Sequence, residues 1–198
     1  VLAFVPLEQG DEFRVLVPSP ARARDILQRL VQRGHGNLAV LSGRKEETTV
    51  AALLYEVAET QESLQIEQTV GRIRSELGKG LGISQAQFIR LPALFQEGKA
   101  VIPNPINCLV CNDHIVVGSP EGPRVDGGDA FALEIKGRLK LLGKKVHFLD
   151  VWESLHIHNG GIHCATNAVR RIANPRWWSS AVAGEPVSDE LCLLEGGQ

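Results

Sequence analysis

The stretch from Phe13 to Gly36 constrains the fold more than any other. The β-rich "FRVLVP" (Phe13–Pro18) runs directly into "SPARARDILQRLVQRGHG" with no linker between them. Ser19 can cap a helix, Pro20 fits its first turn, and Gly34 and Gly36 close it. The same alternation recurs. "NLAVL" reads as a short apolar strand. Ile66, Val70, Ile73 and Leu77 form one apolar stripe, which predicts a helix from Glu62 to Leu77 stopped by Gly78, Gly80 and Gly82. "QFIRLPALF" and "KAVIP" read as extended, and "INCLVCNDHIVVG" as two strands joined at Asn112–Asp113. "DAFALEIKGRLKLLG" is an amphipathic helix closed by Gly143, and "KKVHFLDV" is a strand. Helices set between strands predict an α/β fold.

The length of 198 residues suits one compact domain or a large piece of one, and a hydrophobic fraction of 43% is enough to bury a core. The net charge of -2 supplies no field toward nucleic acid or an anionic membrane, so neither is expected as a partner. No apolar run reaches membrane-spanning length, and the N-terminus lacks the layout of a signal peptide. The chain contains no methionine and opens on "VLAFVP", which reads as a strand already under way. A fragment or processed product is the expectation. Helical and strand periodicity fade after Trp178, so 179–198 is expected to be a loose tail. Four cysteines in this length are no disulfide framework, and a reducing, cytoplasmic setting is the expectation.

The chemistry concentrates in "LHIHNGGIHCATNAVRR", Leu155–Arg171. In a strand, His156 and His158 would share a face. With His163 and Cys164 they could hold a metal, although no carboxylate follows before Asp189 to complete a set. "CLVC" has zinc-knuckle spacing at Cys108 and Cys111, but it lies in a strand-like run whose alternation sends the two thiols to opposite faces. Both are read as buried structural cysteines. Cys164 is the better nucleophile candidate. Gly160 and Gly161 permit sharp turns and close approach of a substrate. His158, His163, Arg170 and Arg171 are candidates to activate the thiol.

"GGIHCATNAVRR" followed by "PRWW" resembles the end of the peptidylarginine deiminases, as do "FVPLEQGDEFRVLVPSP", "RGHGN", "RLPALF", "PNPINCLV" and "LHIHNGGIHC" in that order. The resemblance runs from Val1 to Trp178. It implies a pentein α/β propeller of five ββαβ modules, of which this chain would hold roughly the last two. Residues 1–178 would then be the C-terminal portion of the catalytic domain. It also implies calcium-dependent hydrolysis of protein or peptide arginine to citrulline with loss of ammonia. In that reaction a cysteine attacks the guanidinium carbon, a histidine serves as acid and base, and two aspartates hold the cation. The nucleophile carries over to Cys164, and Asn107 to a possible substrate contact. His158 stands where animal members place an arginine that reaches the substrate backbone. Ala165 stands where the motif has glycine.

The resemblance places the His-x-Asp motif, the first guanidinium-binding aspartate and the calcium ligands upstream of Val1. Asp11 is read as turn chemistry instead. These 198 residues alone are therefore expected to be inactive. Two rival readings stay open: a metal-dependent enzyme built on His156, His158 and His163, and a non-catalytic module that binds arginine peptides. The sequence leaves the oligomeric state open.

Overall fold

The computed structural model of the chain describes residues 2–7 and 12–167. Asp11, Arg170, Arg171, Cys192 and the expected tail lie outside the described residues.

Strand β1 (Ala3–Pro6) pairs antiparallel with β2 (Phe13–Ser19), Ala3 opposite Leu16 and Pro6 opposite Phe13. β2 ends on the residue that starts helix α1 (Pro20–Gln32). The Ser19 hydroxyl accepts the Arg22 N–H at 3.2 Å, the cap expected from the sequence. Ala23, Ile26, Leu27 and Leu30 are buried along one face of α1. "NLAVL" yields only a two-residue strand, Ala39–Val40. It stops because Leu41 takes a left-handed φ of 59°, which a strand cannot continue. Val50–Ala52 begins a helix that widens to a π-helix at Leu53–Ala58, a segment left unread in the sequence.

Helix α2 spans Gln61–Leu81, longer than expected. Gly78 and Gly80 lie inside it, and only Gly82, at φ 66°, turns left-handed and ends it. A glycine lowers helix stability by about 1 kcal/mol without forcing a stop. Val70 is buried, and Ile66 and Leu77 pack beside it against Val15, Val17 and Phe88. Ile73, on the same expected stripe, stays 40% exposed. Strand β3 (Phe88–Pro92) then returns parallel to β2, Val15 opposite Phe88.

The second half repeats this plan. Strands β4 (Leu109–Cys111) and β5 (His114–Gly118) form the expected hairpin, its turn carried by Asn112 at φ 52°. Helix α3 (Ala130–Lys140) is capped by Asp129, whose Oδ1 accepts the N–H groups of Phe131 and Ala132 at 2.8 and 2.9 Å. Strand β6 (Lys145–Leu149) lies parallel to β5. Each half is thus a hairpin, a helical crossover and a third, parallel strand, with sheet orders β1–β2–β3 and β6–β5–β4. Both crossovers carry the α/β character expected from the sequence.

Ile135 and Leu139 of α3 pack with Val5, Leu16 and Leu91 from one sheet and Ile115 and Val117 from the other, joining the halves in one core. Among the described residues, no helix is long and apolar enough to cross a membrane.

Cys108 lies in that core, and burial pushes its thiol pKa up to about 11. Cys111, three residues on, is exposed. The expectation of two buried cysteines is corrected for Cys111, because strand alternation turns residue 111 away from the face that 108 and 110 share. Cys108→Ala is therefore expected to lower unfolding stability by about 1 kcal/mol, and Cys111→Ala by less than about 0.5 kcal/mol. Urea melts of the intact protein check this. Equal losses at the two positions would contradict it.

Candidate functional site

β4 runs antiparallel to β5 and β6 runs parallel to it, so the residues that enter β4 and those that leave β6 meet at one end of the sheet. The carboxyl end of parallel strands is where α/β proteins gather their ligands. Asn107 enters β4, and the segment after Leu149 leaves β6.

That segment is a set of tight turns held from below. The Asp150 carboxylate accepts the Trp152 N–H at 3.0 Å, and Val151 and Trp152 are buried. The N–H groups of Leu155 and His156 both reach the Val151 carbonyl at 2.9 Å. Asn159 reverses the chain at φ 61°, and the Gly160 N–H closes onto the Leu155 carbonyl at 2.8 Å. Arg44 braces the turn. Its guanidinium lies 5.4 Å from the Trp152 ring centroid and pairs with Asp150 at 2.8 Å.

His156–His158 therefore forms a turn of 3₁₀-helix, not a strand, and the two rings do not share a face. His156 is half-buried with its ring centroid 4.5 Å from that of Trp152, and burial holds its pKa below the ordinary imidazole value. His158 and His163 are exposed. Among the described residues, no three His, Cys, Asp or Glu side chains converge as a metal-ligand set. The His156–His158–His163 metal reading thus finds no support in the geometry. Calcium, which the resemblance implies, likewise finds no ligand set among these residues.

Cys164 follows on the exposed 3₁₀ turn His163–Ala165, anchored by buried Ile162 and tied off by the Thr166 hydroxyl on the Ile162 carbonyl at 2.9 Å. Here Asn107 arrives from 57 residues away. Its backbone carbonyl accepts the His163 N–H at 3.3 Å, and its side-chain Oδ1 accepts the Cys164 N–H at 3.3 Å. The second contact fixes the orientation of the amide, because an N–H must meet oxygen. Nδ2 is then the atom that donates to Cys164 Sγ at 3.1 Å. The Asn107 amide first, and then the Gly161 backbone, lower the pKa of the Cys164 thiol below its usual value. Among the described residues the stabilising groups are neutral dipoles, not the charges of His158 or His163.

Of the three predicted site residues, Asn107 and Cys164 are brought together. His158 stands exposed six residues before Cys164, and among the described residues no hydrogen bond joins it to either. Gly161 does permit a close approach, but the approaching group is Asn107. A Cβ at Gly161 would lie 2.5 Å from Asn107 Cγ. The same turn also lines a cleft of about 460 Å³ through Trp152, His156 and Asn159, together with Glu46, Glu56 and Glu97. Neither Cys164 nor Asn107 lines that cleft.

By fold and site, the chain is an α/β protein that presents a hydrogen-bonded, exposed thiol at the end of a sheet. A family model described as protein-arginine deiminase (PAD) matches residues 1–179. The chain belongs to the protein-arginine deiminase family. It is 28% identical over 187 residues to protein-arginine deiminase type-4 of Mus musculus, covering 89% of this chain and 28% of the relative. To type-4 of Homo sapiens it is 27% identical over 185 residues, and to type-3 of Homo sapiens 26% over 187, covering 90% of this chain and 28% of the relative in each case. The chain thus spans 28% of the length of these relatives.

Proposed function

We propose that the intact protein hydrolyses peptidyl arginine to peptidyl citrulline, with Cys164 as nucleophile. The observation that carries this reading is the contact of Asn107 with an exposed Cys164, inside a chain that belongs to the deiminase family over residues 1–179. Sγ forms a bond to the guanidinium carbon, one C–N bond breaks, and the nitrogen leaves as ammonia. Water then adds to the resulting thiouronium, the C–S bond breaks, and citrulline leaves. A guanidinium is a delocalised cation and a poor electrophile, so covalent attack divides one hard hydrolysis into two easier steps. Carboxylates must orient and neutralise it, and a proton must reach the departing nitrogen. We assign those tasks to the family's upstream His-x-Asp and aspartate. Calcium is the family's implied cofactor, and no step here depends on it.

In this reading the two hairpin–helix–strand units are the last two ββαβ modules of a pentein. Residues 1–178 are the end of its catalytic domain, and 179–198 form a tail. The setting is the cytoplasm, where the cysteines stay reduced.

A citrulline assay of the intact protein on an arginine peptide tests the function, expecting ammonia in equal amount. Peptide binding without citrulline would favour the non-catalytic module instead. In the same assay, His158→Arg is expected to raise kcat/KM for the peptide several-fold, because a guanidinium offers the substrate backbone a forked pair of donors that imidazole cannot. An unchanged or lower value removes His158 from the substrate-facing set.

A further inference from the structure

We infer that Asn107 is a positioning residue for the nucleophile and not a substrate contact. Its amide, admitted by the missing side chain of Gly161, orients Cys164 and supplies the donor that a thiolate needs. The inference rests on the proposed role of Cys164, but its test does not depend on citrulline.

Three observations carry it. First, both ends of the amide are committed to the same residue, Oδ1 to the Cys164 N–H at 3.3 Å and Nδ2 to Sγ at 3.1 Å. A protonated thiol can donate only to Oδ1, which lies 3.5 Å away. The shorter contact is the one from Nδ2, which serves the anion. Second, Asn107 is held on both sides. Its N–H reaches the Asn104 carbonyl at 3.0 Å, and its neighbours Ile106 and Cys108 are 1% and 2% exposed. The amide is therefore aimed before any substrate arrives, and a preset dipole costs no reorganisation when charge develops. Third, Gly161 is not in the left-handed region, so its backbone does not demand glycine. Its Cα is instead packed on the Asn107 side chain, with Cγ, Nδ2 and Cβ at 2.5, 2.6 and 2.8 Å from where a Cβ would sit. Real Cβ atoms do not approach other groups so closely, so any side chain at 161 forces the Asn107 amide and the 161 turn apart and disturbs the contact with Sγ.

The test is the pH dependence of iodoacetamide alkylation of Cys164 in the intact protein, read by mass spectrometry on the peptide that contains it. Three proteins are compared. In wild type the midpoint falls below the ordinary thiol value of about 8.5. Gly161→Ala leaves Asn107 chemically intact but crowds it against a turn whose own Gly161 backbone also favours the thiolate, and the midpoint rises toward that value. Asn107→Asp keeps an oxygen for the Cys164 N–H and replaces the Nδ2 donor by an anion, so the midpoint rises above it. A rise of one pH unit is about a tenfold slower alkylation at pH 7. A loop that merely came loose could restore the ordinary value but not exceed it, which separates positioning from simple structural support. A midpoint in Asn107→Asp no higher than that of wild type, with native circular dichroism, overturns the inference. Should that variant fail to fold, an unshifted Gly161→Ala overturns it instead. Shifted midpoints in a protein that makes no citrulline would leave the positioning role standing and remove the deiminase reading. Unshifted midpoints in an active enzyme would do the reverse.

Discussion

Cys164→Ser in the intact protein is expected to lower citrulline formation from an arginine peptide by about 10⁴-fold or more. A serine hydroxyl has the size of the thiol and can take the same contacts with Asn107, but it stays protonated at neutral pH without a strong matched base. Among the described residues, the groups that favour ionisation at this position are an amide and backbone dipoles. These help a thiol that is already close to ionising and are far too weak for an alcohol. Losses of this size are typical when a covalent nucleophile is removed. Because Cys164 is exposed, the substitution should change stability by less than about 0.5 kcal/mol, so activity and folding separate cleanly. Citrulline measured colorimetrically beside a thermal melt decides the matter. Activity within tenfold of wild type would remove Cys164 from the reaction.

The 198 residues expressed alone are expected to turn over at no more than about 10⁻⁴ of the rate of the intact protein. In the proposed reaction the dipoles beside Cys164 would prepare the nucleophile, but they would neither hold a guanidinium nor move a proton. Proton transfer by a placed side chain is worth about 10²–10⁴-fold, and preset charge stabilisation about 10²–10³-fold more. The isolated piece should also associate. Among the described residues β3 and β6 are sheet edges, and Leu141, Leu149 and Phe4 are 84%, 53% and 47% exposed. Citrulline release and light scattering of the purified piece check both halves. Turnover near that of the intact protein, from a monomer, would mean that an acid within this chain serves the guanidinium.

Local chemistry made much of this fold legible. Ser19 and the Asn112–Asp113 turn do what their residue types dictate, because a cap or a hairpin turn involves only a few adjacent residues. Glycine misled at Gly78 and Gly80, since its permissiveness breaks a helix only where the backbone needs the left-handed region, as at Gly82. The Val50–Ala58 helix did carry a signal, with Val50, Leu53, Leu54, Val57 and Ala58 at helical spacing, but no local rule announces its π register. "HIH" misled because Asp150 and buried Trp152 bend the chain into turns before a strand can form. The site was legible in one half only. Cys164 stood out between glycines and histidines, whereas its contact with Asn107 spans 57 residues and no spacing rule reaches that far. Family resemblance named both residues without supplying the geometry between them.

The distance along the chain between Asn107 and Cys164 has a consequence for the life of the protein before it is folded. While the polypeptide is being synthesised, or after it has come apart, no amide stands beside the thiol, and Cys164 is as sluggish as any cysteine in a flexible peptide. The amide contact that favours its thiolate appears only once β4, β5, α3 and β6 have assembled and carried residue 107 to residue 164. Below the ordinary thiol pKa, an electrophilic probe is therefore expected to label Cys164 faster in mature molecules than in nascent or damaged ones. Early labelling read on the peptide that contains Cys164, and not on those of Cys108 or Cys111, would track properly assembled copies without any need for substrate.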